Sequence, residues 1–246
     1  MKILLAPAES KKEGGDNKPY CKDNFAFEEL FDIRDKVFNT YEEFVQNQSV
    51  EELSKWFGLK KESEVIKYQE SLKDKPTMKA IQRYTGVAFD AISYDDLKKE
   101  EQNYIDENVV IFSNLFGPLK ADDLIPDYKF KQGAKLSDLN IEKFYKDKTT
   151  DYLDEYVEGE IIDLRAGHYE KFYKSTKANV LTFKFIKNGK VVSHWAKHYR
   201  GEVLKQLSQK NIISIADFMN TTIDGLKLIE IQEKKNIKQL ILEIEE

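Results

Sequence analysis

Three short apolar runs set the tightest limit on what this chain can fold into. Lys2–Ala6, Val109–Phe112 and Glu160–Leu164 are rich in Ile, Val and Leu and too short to be core helices. Runs of this kind sit buried in a sheet. A further strand signal is a hairpin in which Val180–Ile186 and Val191–Ala196 flank Lys187-Asn188-Gly189-Lys190. Asn-Gly supplies the positive φ angles that a type I′ turn requires. Leu181, Phe183 and Phe185 alternate with Thr182, Lys184 and Ile186, so the first arm reads as half-buried.

Helical spacing fills much of the remainder. Phe25–Phe38 puts Phe27, Leu30, Phe31, Arg34 and Phe38 on one face. Ser49 with Glu52 three residues on forms a capping box for Val50–Trp56, and Gly58 ends that helix. Glu62–Leu72, Arg200–Lys210 and Ser214–Met219 read as further helices. The polar tail Ile229–Glu246 is expected to hold a strand followed by a short helix. No internal repeat, low-complexity tract or Pro/Gly-rich linker divides the chain. The expectation is therefore one mixed α/β (α+β) domain over residues 1–246, a small mixed sheet with a β-hairpin surrounded by helices.

Of 246 residues 41% are hydrophobic and 12% aromatic, enough for a real core, which excludes a disordered chain. Cys21 stands alone, so an intramolecular disulfide and a four-thiolate zinc or iron–sulfur site are excluded. No apolar run approaches the roughly 20 residues that span a bilayer. The Ile-Leu-Leu near the start is too short for a signal-peptide core. These features predict a cytoplasmic protein with no membrane partner.

Charge is distributed unevenly. The formal net charge is −5, and Asp23–Trp56 holds nine acids against three bases. Arg165–Lys210 reverses this, with eleven basic residues against Glu170 and Glu202. Such a block marks either a surface that meets a polyanion or a solvated lysine-rich hairpin. His168, His194 and His198 fall inside it, but His194 is expected on the hairpin arm, so the four-residue spacing to His198 does not predict one helical face. No carboxylate cluster accompanies them, and no metal site or cofactor is expected. Cys21 lies in a polar stretch without a histidine nearby and is not a candidate nucleophile. Gly14-Gly15 after Ser10-Lys11-Lys12 has the flexibility of an anion-binding loop but lacks the Gly-Lys-Ser/Thr ending of a P-loop. Phe112–Gly133 is irregular, with Gly117, Pro118, Pro126 and Gly133, and follows a buried strand. Such segments are where sites are often built, though a proline-stiffened surface loop looks the same.

Over almost its full length the chain resembles the YaaA peroxide-stress protein family. The matching stretches are LLAPAES near the start, Tyr84–Gly86, and the long loop with Ser113, Leu115, Phe116, Gly117, Leu119, Lys120 and Pro126-x-Tyr128-Lys129. Phe144–Asp147, Ile161–Tyr169 and Ala196–Gly201 follow in order. The resemblance implies a single α/β domain of unusual fold, a role in limiting peroxide and free-iron damage, and DNA binding through a helix-hairpin-helix element and a positively charged cleft. The best candidate for that element lies at 49–69, with Gly58, Lys60 and Lys61 at its turn. Only Gly58 remains of the usual Gly-apolar-Gly turn. Many relatives carry lysine where Glu9 stands, which leaves Lys11 or Lys12 to take that role.

The cleft candidates are Lys11, Lys12, Tyr84, Lys120, Tyr128, Lys129, Lys146, Arg165, Tyr169, Lys197 and Arg200. The basic residues suit phosphates, and aromatic faces among cations suit flipped or single-stranded bases. The leading expectation is a DNA-binding stress protein with little base-sequence preference and no obligate protein partner. The alternative is an enzyme acting on a nucleic acid or nucleotide, with Lys120, Asp163, Tyr128 and Lys197 in one pocket. A third is an interaction module whose basic face meets an acidic protein. No catalytic residue is assigned.

Overall fold

Ile3, Leu4 and Leu5 are at most 1% exposed, and Val109–Phe112 are fully buried. Both faces of these strands are covered, which is why neither run alternates. The structure, a computed structural model, describes residues 1–165 and 167–245. Its strands are β1 (Lys2–Leu5), β2 (Thr77–Lys79), β3 (Val109–Ser113), β4 (Gly117–Lys120), β5 (Leu124–Pro126), β6 (Glu160–Asp163), β7 (Asn179–Lys187), β8 (Lys190–Val191), β9 (Leu226–Lys234) and β10 (Ile237–Ile244). Its helices are α1 (Phe31–Asn47), α2 (Val50–Phe57), α3 (Glu62–Gln69), α4 (Ala80–Arg83), α5 (Val87–Ile92), α6 (Lys99–Asn108), α7 (Ile141–Tyr156), α8 (His194–Gln209) and α9 (Ile215–Met219).

Among the described residues eight strands make the main sheet, ordered β4-β3-β1-β6-β7-β10-β9 with β8 paired to β7. The five inner strands are parallel. β4 and β9 close the two edges antiparallel, and β2 and β5 form a separate ribbon. β1 lies between β3 and β6, so the chain winds outward from it in both directions. In open parallel sheets that point leaves a crevice beyond the strands' carboxyl ends.

The mixed α/β reading holds, and several elements fall where their local signals put them. Ser49 and Glu52 form both halves of a capping box, and Gly58 at φ 70° closes α2. The buried face of α1 carries Arg34, Val37, Phe38, Tyr41 and Val45, spaced for a helix. Its first turn starts later than expected, at Phe31 after a 3-10 turn over Glu28–Leu30.

Two expectations are corrected. The hairpin's second arm is only Lys190–Val191, and His194 begins helix α8. The β-branched pair Val191-Val192 looks extended locally, but Ala196, Val203, Leu204 and Leu207 bury one helical face further on. The helix crosses α5 closely at Gly201, where a Cβ would lie 2.2 Å from the Ala88 carbonyl oxygen. Likewise, the tail holds no helix among its described residues; β9 and β10 form a hairpin, and Glu246 lies outside the described residues. β10 pairs with β7 along seven positions and buries Leu240, Leu242 and Ile244. The mostly exposed edge strand β9 carries no buried-strand signal in its own sequence.

Candidate nucleic-acid interface

The carboxyl end of β1 opens into a crevice of about 480 Å³. Leu5–Ser10 form one wall, and Thr85–Phe89, leading into α5, form the opposite one. Leu164 lies beneath, while Gln132, Tyr169, Lys197 and Arg200 complete the lining. Backbone bonds hold the frame: Leu164 N–H donates to the Leu4 carbonyl at 2.8 Å and Thr85 N–H to Ser10 at 3.1 Å. Glu9 accepts from the Gln132 N–H at 3.2 Å, and its other oxygen is 3.9 Å from Lys129 Nζ.

Beside this frame Lys11, Tyr84, Tyr128 and Ser113 form one cluster. The Tyr128 hydroxyl is 2.8 Å from both the Tyr84 hydroxyl and Ser113 Oγ. Lys11 Nζ lies 3.9 Å from the Tyr128 ring centre and 5.3 Å from that of Tyr84. Burial pushes the Lys11 ammonium down to about 7, with Asp127 opposing and Lys129 reinforcing the shift. Burial also raises Tyr84 to about 12 and Tyr128 well above its ordinary value, so both phenols are neutral near pH 7. Both are 2% exposed and spend their hydroxyls on each other, so neither offers a face for stacking. Tyr169 does reach the crevice.

Lys197 is exposed on α8, and Arg200, one turn on, is half-buried. The Arg200 guanidinium donates to the Ala196 carbonyl at 3.2 Å and lies 5.4 Å from the Phe185 ring centre. Burial lowers its pKa while Asp163 and Glu170 oppose this.

Four candidates lie elsewhere. Lys12 is exposed and points toward Asp95, 3.9 Å away. Lys120 pairs opposite Val110 near the amino end of β3, whereas Tyr128 bonds to Ser113 at the carboxyl end. Lys120, Asp163, Tyr128 and Lys197 are therefore not gathered into one pocket. Lys146 lines a separate groove of about 850 Å³ with His168 and Lys171. Arg165 is a clamp: it grips Asp163 at 2.7 and 2.9 Å and donates to the Tyr169 and Tyr173 carbonyls. That clamp holds the 167–173 segment in place; Ala166, within the Ile161–Tyr169 motif, lies outside the described residues. His194 and His198, contrary to expectation, share α8 one turn apart. Among the described residues no group of three or more His, Cys, Asp or Glu is placed to hold a metal ion.

Between α2 and α3, Gly58, Lys60 and Lys61 are exposed. The Gly58 and Leu59 amides both donate to the Ser54 carbonyl, so the head of that turn has already spent its donors. Sequence reasoning also missed two structural arginines. Arg34 is fully buried and donates to the Phe27, Phe116 and Pro118 carbonyls at 2.6–3.1 Å. Arg83, equally buried, donates to Lys12, Gly14, Pro76 and Ile125 carbonyls and thereby fixes the loop behind Lys11. The available signal was Arg34 standing on an otherwise apolar helix face.

An open, mostly parallel sheet with its crevice at the central strand places this chain among the open-sheet α/β proteins, in which such a crevice is the common place for a ligand site. No described helix is long and apolar enough to cross a membrane. The chain belongs to the family described as peroxide stress protein YaaA, whose model matches residues 1–232. An uncharacterized protein of Campylobacter jejuni is 46% identical over 245 residues, covering 99% of each chain. A UPF0246 protein of Corynebacterium efficiens is 32% identical over 85% of each, and one of Corynebacterium glutamicum 30% over 98%.

Proposed function

We propose that this is a cytoplasmic DNA-binding protein that limits peroxide- and iron-mediated damage, gripping phosphates with little base-sequence preference. The observation that carries the reading is that Lys197 and Arg200, one turn apart on α8, both line the crevice. An arginine and a lysine lining one opening suit phosphate oxygens, the arginine through paired donors and the lysine as a point charge. The α2–α3 turn, with Lys60 and Lys61 exposed, is the candidate second contact, through side chains rather than backbone amides. Fluorescence anisotropy with a labelled duplex across a salt series tests this. Affinity is expected to fall steeply as salt rises, because each neutralised phosphate releases counterions. No binding at low salt, or a flat salt response, overturns it.

One observation favours a second reading, an enzyme acting on a nucleic acid or nucleotide. An amine that titrates near 7 beside neutral phenols is typical of proton-transfer sites. On that reading prolonged incubation converts an oligonucleotide to a product of different mass, and Lys11→Met abolishes the conversion. Unaltered oligonucleotide masses remove it.

A further inference from the structure

We infer that the crevice is a pocket for a single nucleobase displaced from its stack, and that Glu9 selects bases bearing an exocyclic amino group. This inference rests on the DNA-binding reading and adds what fills the interior. Size comes first. A cube of about 480 Å³ measures roughly 8 Å on a side, less than the roughly 12 Å width of the major groove alone. The double helix can only lie across the mouth. What enters must be smaller, and the volume falls in the range of about 300–1,000 Å³ typical of small-molecule pockets.

Chemistry of the lining comes second. Leu164 is fully buried beneath the opening, and Phe89 and Tyr169 are buried in its sides. Among the described lining residues the cations are Lys197 and Arg200, so phosphates are held there rather than against Leu164, Phe89 and Tyr169. A base is the part of a nucleotide with two apolar faces, and proteins that take a base from the stack hold it between aromatic and apolar groups. The base also carries a polar edge, and Glu9 supplies its partner. The Glu9 side chain is 45% exposed, and among the described residues its carboxylate meets the Gln132 amide and, more distantly, Lys129. It therefore keeps acceptor capacity facing the opening. Adenine, cytosine and guanine each present an exocyclic amino donor to such a carboxylate; thymine has none and offers only its N3–H, flanked on both sides by carbonyl acceptors that the carboxylate disfavours.

The experiment uses the full chain and duplexes of one length that differ at a central position: fully paired, or with one unpaired dC, dA or dT. Anisotropy gives each affinity, and 2-aminopurine at the unpaired site reports unstacking by a rise in fluorescence. Expected are a gain of about tenfold for an unpaired dC over the paired duplex, a several-fold preference for dC and dA over dT, and a fluorescence rise. Glu9→Gln is expected to erase or invert the dC/dT ratio, because the amide can donate to O4. Its near-UV circular dichroism establishes that the variant is folded. Salt-dependent binding of every duplex with equal affinity and no fluorescence change overturns the inference and leaves the DNA-binding reading standing. No binding of any duplex defeats that reading and the inference with it. An unaltered dC/dT ratio in folded Glu9→Gln overturns the assignment of Glu9. Competition by free dCMP as strong as that by the oligonucleotide overturns a strand as the source and assigns the pocket to a free nucleotide.

Discussion

At the scale of single residues, the least ordinary group is the Lys11 ammonium. Its value of about 7 lies below the unfolded value of about 10.5, so the native state holds fewer protons than the unfolded chain between these values. Stability from this group therefore rises as pH climbs from about 7 to about 10.5, and below that window the whole cost of burying the cation remains. Lys11→Met is expected to be more stable than the parent near neutral pH, with the gap closing by about pH 10. Urea midpoints of the two proteins at several pH values measure this; a gap independent of pH would return Lys11 to an ordinary value. Arg34 presents the opposite case, a buried cation fully engaged by three carbonyls. Arg34→Met leaves those acceptors unpaired and is expected to cost about 3 kcal/mol or more in urea unfolding. A loss below about 1 kcal/mol would mean that water takes the place of the guanidinium. Neither role was legible locally, because Lys11 reads as one of two adjacent loop lysines and Arg34 as an interruption of an apolar stripe.

At the scale of elements, α8 is where fold and candidate site meet. Gly201 lets α8 approach α5, whose first turn lines the crevice, and an added Cβ would meet the Ala88 carbonyl at 2.2 Å and the Ala91 Cβ at 2.8 Å. Gly201→Ala is expected to cost about 1–3 kcal/mol by overpacking. It should also weaken DNA binding by moving the crevice wall, which thermal unfolding and anisotropy together can read. An unchanged melting temperature would show that the two helices part without strain. The same helix holds Lys197 and Arg200 on rigid backbone, whereas Lys187 and Lys190 flank the β7–β8 turn. Each of Lys197→Ala and Arg200→Ala is expected to lower affinity more than Lys187→Ala and Lys190→Ala combined. Equal losses would reduce the basic block to diffuse charge. Unfolding of Arg200→Ala would make its stacking on Phe185 structural.

At the scale of the whole molecule, a chain of net charge −5 is expected to bind a polyanion only where its surface gathers cations. With Lys197 and Arg200 at the crevice and Lys60 and Lys61 at the α2–α3 turn as contacts, about four phosphates are neutralised, which predicts a slope of about −4 for log affinity against log salt concentration. A slope near zero would be incompatible with phosphate contacts, and one near −8 would require a much larger footprint than this crevice. By itself the sequence determined the class of the fold, because Lys2–Leu5 and Val109–Phe112 carry enough apolar surface to demand cover on both faces. It also determined α2, whose Ser49, Glu52 and Gly58 act within one or two turns of themselves. The family was legible too, through motifs whose order survives along the chain. Only the tertiary structure decided that Val191–Ala196 yields to a helix and that the polar tail becomes two strands. Those choices depend on partners far along the chain, α5 for α8 and β7 for β10. The site divided in the same way. Lys120, Lys146, Arg165 and Lys197 are alike as sequence signals, but sheet register sends Lys120 to the far end of β3, and Asp163 draws Arg165 into the interior. Charge can be counted from a sequence, but the direction in which a side chain points is set by the backbone it stands on and by the nearest group able to satisfy it.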